Sequence, residues 1–315
     1  MMFGAFRALK DAGILGMNRR NADYVMRCNP RTRFPLVDNK VLTKQLAGQF
    51  NVPVPELYHV MEHHGDVKGL EKALGDHREF ALKPARGSGG SGIILVADRT
   101  PGGFVRHSGH EMSREDFFYH ISGILSGIYS LGGQQDSAIV EALIHPEPVF
   151  ERVSYKGVPD IRIIVYRGVP VMAMTRLPTR ESDGKANIHA GAIGAGIDIG
   201  RGVTLTAVHR SKIITAHPDT GNPIGGIEVP CWDDLLTTAA LAFVMTGLGY
   251  IGVDLIIDAD RGPLLLELNA RPGLQIQMAN ESGLLTRLES VDRARPESLS
   301  GPDSAAAWAK QQFGS

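Results

Sequence analysis

Gly252-Val-Asp-Leu-Ile-Ile257 runs into Asp258-Ala-Asp-Arg-Gly-Pro263 and on into Leu264-Leu-Leu-Glu-Leu-Asn269. Two apolar runs flanking a cluster of turn residues read as strand, turn, strand. With the turn centred between Asp260 and Arg261, Asp254 lies opposite Glu267, their Cβ atoms roughly 4.5–5.5 Å apart on one face. Asn269, two residues on, shares that face. Carboxylates this close in apolar strands repel, and an unpaired buried charge costs several kcal/mol. A cation resolves the conflict, and an oxygen-only donor set without His or Cys favours a hard ion such as Mg²⁺, which keeps positions for water and phosphate oxygens. Asp254, Glu267 and Asn269 are therefore the candidate metal ligands. The plainer alternative is a solvated hairpin face that happens to be acidic.

Composition narrows the field. A chain of 315 residues can bury a large core and is long enough for two lobes. Lys and Arg total 33 against 34 Asp and Glu, a formal net charge of −1, so no global field draws the protein to nucleic acid or anionic lipid. Cys28 and Cys231 are the only cysteines and have no metal-ligand spacing, which suits a reducing cytoplasm. No apolar core of signal-peptide length precedes Arg19-Arg20, so export is not expected. The uncharged stretch Leu235 to Val253 invites a transmembrane reading. Thr237, Thr238, Thr246, Gly247, Gly249 and Gly252 dilute it, and it ends at Asp254, so it predicts a helix over 233–247 packed behind the metal-bearing strand. No membrane insertion is expected.

Along the chain, 1–35 is an N-terminal extension with a Pro-bounded basic piece, Asn29-Pro-Arg-Thr-Arg-Phe-Pro35. Residues 36–78 open the core with a helix over 38–50, Asp38 serving as its N-cap. Residues 79–145 form a lobe with a glycine-rich loop, a helix over 114–130 and a strand over 138–144. The Pro-containing connection His145-Pro-Glu-Pro148 marks a lobe boundary. Residues 146–285 carry a hairpin (161–176), a polar glycine-rich loop (179–202), the apolar helix and the metal hairpin. Residues 286–315 read as a polar tail, mobile except for a short helix near Trp308.

Gly87-Ser-Gly-Gly-Ser-Gly92 satisfies the spacing of a dinucleotide fingerprint, but the fingerprint needs a following helix. Ile93-Ile-Leu-Val-Ala97 is β-branched and short, so the loop joins two antiparallel strands. Gly87, Ser88, Gly89, Gly90, Ser91 and Gly92 offer backbone N–H groups to phosphate oxygens with almost no side chain in the way, and the hairpin can fold down as a lid. Lys83, just before them, can reach the same anion. An unliganded surface hairpin is the alternative. Arg162 and Arg176, at the two ends of a hairpin of apolar strands, want a phosphate, a substrate carboxylate or a plain salt bridge. Arg271 stands two residues past a metal ligand, and Gly273 can offer its N–H to an oxyanion. Glu62 with His59, His63 and His64 forms an H-x-x-x-H-H cluster, read as a solvated turn beside Gly65-Asp66 rather than a metal site.

Taken in order, these pieces resemble the ATP-grasp superfamily and, within it, the RimK-type α-L-glutamate ligases, over about residues 36–285. Asp38-Asn-Lys40, Phe80-Ala-Leu-Lys-Pro84 with its glycines, Ile139-Val-Glu-Ala-Leu143, Asp160-Ile-Arg162 with Arg176, Asn187-Ile-His-Ala-Gly191 and Glu267-Leu-Asn269 with Pro272-Gly273 carry the likeness. The resemblance implies an α+β ATP-grasp fold, two lobes with antiparallel sheets clasping ATP. Ala192 and Lys185 depart from the ligases' Gly and Arg, and with about 35 residues ahead of Asp38 the customary N-terminal βαβ domain is expected to be truncated or absent.

It further implies an ATP-dependent carboxylate–amine ligase working through an acylphosphate, adding glutamate or another amino acid to an acceptor that is a metabolite, a peptide or a protein tail. A pair of Mg²⁺ ions, with Mn²⁺ as a substitute, would sit on the metal hairpin. Lys40 and Lys83 would meet the α- and β-phosphates, and the backbone of Glu141, Ala142 and Leu143 would meet adenine. Arg162 and Arg176 would steady the phosphoryl group. Arg271, Gly273, Lys185, Asn187 and His189 would face the substrates, His189 being either a base or structural. A kinase acting on a small hydroxyl compound and a non-catalytic ATP-binding partner protein are the rival readings. Homo-oligomerisation is left open.

Overall fold

The computed structural model describes residues 9, 11–87, 89–294 and 299–314. The fold is α+β, and the chain divides into two compact units. The larger comprises Met1–Asp38, Gln45–Pro53 and His145–Ser315; the smaller comprises Asn39–Lys44 and Val54–Ile144.

In the smaller unit, β1 (Leu57–Met61), β2 (Phe80–Pro84), β3 (Ile94–Thr100), β4 (Gly103–Arg106), β5 (Glu111–Ser113) and β6 (Ala138–Glu141) form an antiparallel sheet in the order β1-β6-β2-β3-β4-β5. Apolar side chains from one face meet a helix, Arg114–Leu125, at a core where Phe80, Phe104 and Phe117 are buried edge to face or tilted. That helix starts on Ser113, whose Oγ accepts from the Asp116 N–H at 3.0 Å. It stops at Leu125 rather than 130, because Gly127 turns the chain into the left-handed region at φ +86°. The glycine-rich stretch connects β2 to β3, which pair antiparallel as expected.

The helix read over 38–50 spans Lys40–Gln49, beginning in the smaller unit and ending in the larger. Its cap is Asn39, whose Oδ1 accepts from the Val41 N–H at 2.9 Å. Asp38 instead closes a preceding short helix, Pro35–Asp38.

In the larger unit, β7 (Asp160–Tyr166), β8 (Val169–Leu177), β9 (Ile193–Asp198), β10 (Val203–His209), β11 (Lys212–Ile214), β12 (Tyr250–Asp258) and β13 (Gly262–Asn269) form a second antiparallel sheet, ordered β11-β10-β9-β8-β7-β12-β13. Every residue of β12 is buried. The apolar stretch before it folds as a helix, Trp232–Thr246, with Leu235, Leu236, Ala239 and Ala240 buried against the sheet. Among the described residues no helix is long and apolar enough to cross a membrane.

Asn29 and the helices after residue 283 are tied into this unit. Asn29 is buried and bridges two segments, its Nδ2 donating to the Ala270 carbonyl at 2.9 Å and its Oδ1 accepting from the Tyr250 N–H at 2.9 Å. Where a polar tail with a short helix near Trp308 was expected from residue 286 on, the described residues form helices Leu284–Arg293 and Pro302–Phe313. The second lays the small residues Ala305, Ala306 and Ala309 into the core and is pinned by Thr237 to Asp303 at 3.1 Å and by a Lys310–Asp233 ion pair. The polar composition sits on its outer face, so composition alone conceals the docked one.

Candidate active site

The metal hairpin has the register its sequence suggests, for a partly different reason. Asp258 pairs with Gly262, so the turn centres on Asp260, and continuing that register would set Asp254 opposite Leu266. A bulge between Leu265 and Glu267 restores the pairing of Asp254 with Glu267 and of Gly252 with Asn269. Because side chains alternate, the extra residue decides which face Glu267 and Asn269 present. Asn269 donates from Nδ2 to Asp254 Oδ2 at 3.2 Å.

β7 lies beside β12 and brings Arg162 opposite Asp254; β8 in turn brings Arg176 opposite Asp160. Arg162 grips Asp254 through both Nε, at 2.6 Å, and Nη2. Arg176 grips Asp160 in the same forked manner and also donates to Asp254 Oδ2 at 2.8 Å. The result is a buried chain of alternating charge, Asp160–Arg176–Asp254–Arg162. Burial opposes ionisation of Asp254, but the two guanidiniums outweigh it and hold its carboxyl down at about 2. Asp160 titrates above the ordinary carboxylate range, because burial outweighs the single Arg176 and the Asp254 charge adds to it.

This network relieves Asp254 without a metal, so the expected like-charge conflict does not by itself require a cation. The donor set still fits one. Two carboxylates and an amide oxygen, all hard, sit on one hairpin, and a small divalent ion that draws its remaining ligands from water and phosphate needs no larger protein set. Among the described residues no group of three or more His, Cys, Asp or Glu could hold a metal on its own. That includes the histidine cluster, where His59 Nε2 lies 2.9 Å from the Asp66 carbonyl and Asp66 caps the turn.

Beyond Asn269 the chain turns sharply. Pro272 packs on Gly252, where a Cβ would lie 2.7 Å from the proline Cβ. Arg271 is exposed, its guanidinium 4.8 Å over the Phe34 ring. The Pro272 carbonyl, next to Gly273, accepts from Arg20 Nη1 at 2.8 Å. The loop after β8 is preordered: Asn187 Oδ1 accepts from the His189 N–H at 3.0 Å, and Gly191 adopts φ +103°. Ala192, where glycine was the expected residue, buries its methyl without left-handed strain. His189 is exposed with Nδ1 3.4 Å from Gln275 Nε2, linking this loop to the segment after Gly273, and Lys185 is exposed.

The nucleotide-side candidates lie in the smaller unit. Lys83 on β2 forms an ion pair with Glu141 on β6, and Lys44 takes the other carboxylate oxygen at 2.9 Å. Glu141 is fully buried; desolvation pushes its carboxyl up, but the two ammonium groups prevail and hold it below its usual range. Lys44 escaped the sequence reading, although it stands one helical turn after Lys40, a spacing that shares a face. Lys40 Nζ donates to the Gly87 carbonyl at 2.7 Å. Gly89, Gly90 and Gly92 all have positive φ, which their lack of a side chain permits; Ser91 is exposed and Ser88 lies outside the described residues. Of the segment expected to face adenine, the Ala142 N–H is taken by the Glu56 carbonyl at 2.8 Å, and Ala142 and Leu143 are buried.

A family model described as "Sugar-transfer associated ATP-grasp" matches residues 19–293. The chain is 32% identical over 148 residues to a "Probable alpha-L-glutamate ligase" of Sodalis glossinidius (strain morsitans), a match covering 47% of this chain and 38% of that protein. Similar solved structures include the D-cycloserine synthetase DcsG, with a TM-score of 0.47 and 16% identity over 87% of this chain and 79% of that one. The ATP-grasp ligase PsnB complexed with minimal precursor follows at 0.44 and 15%, covering 84% and 63%.

Proposed function

The chain belongs to the sugar-transfer associated ATP-grasp family, and on that premise we propose that it is an ATP-dependent carboxylate–amine ligase. The observation that carries the reading is the pairing of Asp254 with Glu267, with Asn269 bonded to Asp254 and two arginines fixed on the same carboxylate. Fixed donors of this kind lower the barrier where charge develops, because they need no reorganisation during reaction.

In the proposed reaction a substrate carboxylate oxygen bonds to the γ-phosphorus of ATP while the β,γ-bridging P–O bond breaks, giving an acylphosphate and ADP. The amine nitrogen then bonds to the acyl carbon, the carbon–oxygen bond to phosphate breaks, and the nitrogen loses a proton. Mg²⁺, when bound, would offset the negative charge of the triphosphate. Asp254, Glu267 and Asn269 would hold it. Arg162 and Arg176 set the orientation of Asp254 and supply positive charge beside it. Arg271 and the Gly273 N–H would receive the substrate carboxylate, with Asn187 and His189 on the neighbouring loop. In the smaller unit, Lys40, Lys83 and the glycine loop would bind the phosphates, Lys83 being held in place by Glu141.

The experiment is a screen for stimulated ADP release, with acids and amines offered singly and in pairs. Amino acids head the panel, joined by uronic acids and amino sugars because the family is described as associated with sugar transfer. ADP release with an amide product, found by mass spectrometry, supports the ligase. A phosphoester product replaces it with a kinase, and binding of ATP without any turnover replaces it with a non-catalytic partner.

A further inference from the structure

Both feet of the glycine loop rest on one short segment. At its start Gly87 forms an antiparallel bridge with Ser130. At its end Gly92 lies against Tyr129, so close that a Cβ there would sit 2.6 Å from the tyrosine Cγ. The Gly92 carbonyl faces His120 Nε2 at 2.9 Å, and the Tyr129 hydroxyl faces His120 Nδ1 at 3.2 Å, the two rings tilted with centroids 5.0 Å apart.

A carbonyl only accepts, which assigns the proton to Nε2 and leaves Nδ1 to accept from the hydroxyl. The result is a directed relay from Tyr129 O–H through the imidazole to the loop backbone. Segment 126–130 is itself held by the Ser130 hydroxyl donating to the Gly127 carbonyl at 3.0 Å. His120 is on the helix Arg114–Leu125, whose other face is locked into the aromatic core by Phe117 and Ile121.

A run of glycines loses more conformational entropy on ordering than any other sequence. A loop meant to aim several N–H groups at one anion therefore needs an external clamp, and the only side chains within it are short serines. We infer that His120 and Tyr129 are positioning residues that latch the closing end of the glycine loop, holding Gly92 at φ +75° so that the loop amides converge on one ligand. The role of that ligand as the ATP phosphates rests on the function proposed above; the latch does not.

The test compares binding of Mg–ATP and of AMP to the full chain by calorimetry, together with amide hydrogen exchange of residues 89–92. H120L and Y129A are expected to weaken ATP about ten-fold, the scale of one lost hydrogen bond in a preorganised loop, while AMP, which lacks the outer phosphates, changes by less than about two-fold. H120Q keeps an N–H donor and stays near the parent. Loop amides exchange faster in H120L and Y129A, with melting temperatures showing that both remain folded. Equal ATP affinity and unchanged exchange in a folded H120L overturn the latch, as does equal weakening of ATP and AMP. If the parent binds no ATP, the nucleotide reading fails and the exchange rates alone decide the latch.

Discussion

Arg271 rests its guanidinium 4.8 Å above the ring of Phe34, joining the segment after the metal hairpin to the N-terminal part of the chain. Arg20 reaches the next carbonyl, that of Pro272, and Asn29 is buried against Ala270. Arg20, Asn29 and Phe34 thus all bear on the segment 270–272 that carries Arg271. Asp38 completes this corner; burial raises its carboxyl above the ordinary value, with Arg271 acting in the opposite direction.

Phe34→Ala should free Arg271 and raise KM for the acid substrate by about two- to five-fold, the worth of an exposed cation–π contact. KM for ATP should stay unchanged, and Phe34→Trp should restore the parent value. Steady-state kinetics at saturating ATP check this; a rise in KM for ATP alone would contradict it.

Asp254 faces Glu267 and is held by the Arg162 and Arg176 guanidiniums. Asp254→Asn leaves Arg162 without a charged partner in a buried site, so it should destabilise the protein by about 3 kcal/mol as well as abolish activity. Glu267→Gln should lower ADP formation about a hundred-fold or more. Urea unfolding beside the coupled ADP assay separates the two effects.

Asp258, at the end of β12, accepts from the backbone N–H groups of His145, Asp260 and Arg261 and pairs with the Arg261 guanidinium. Burial opposes its charge, yet these donors hold its carboxyl down at about 2. Because the folded-state value is depressed, the stabilisation is present above the unfolded value near 4 and is lost as pH falls towards 2. Asp258→Asn should therefore be about 2 kcal/mol less stable than the parent at pH 6, and the gap should close near pH 2. A gap independent of pH would count against ionisation as its source.

Lys44 and Lys83 share the buried Glu141. Lys44→Met and Glu141→Gln should each destabilise by about 2–3 kcal/mol, and the double variant should lose less than the sum, because the contact between them is removed only once. A double-mutant cycle in urea gives the coupling directly; strictly additive losses would show that the two side chains do not interact.

Residues within single elements were legible in the sequence. The alternation and turn chemistry of 252–269, the apolar run over Trp232–Thr246 and the short β-branched strand after the glycines each follow from local periodicity, because a strand or helix must bury one face and its sequence records which. The pairing of Asp254 with Glu267 was legible too, but the bulge that produces it was not, since an extra residue in an apolar run leaves no mark on composition.

What only the tertiary structure decided is who answers each charge. Arg162 and Arg176 asked for a partner that the sequence left as phosphate, carboxylate or salt bridge, and strand order settled it by placing β7 between β8 and β12. Lys44 on Glu141, Phe34 under Arg271 and His120 on Gly92 join residues tens to hundreds of positions apart. A chain's local pattern determines which face is buried; which distant groups then share that burial depends on topology, and there the cost of an unpaired charge or orphaned carbonyl selects the partner.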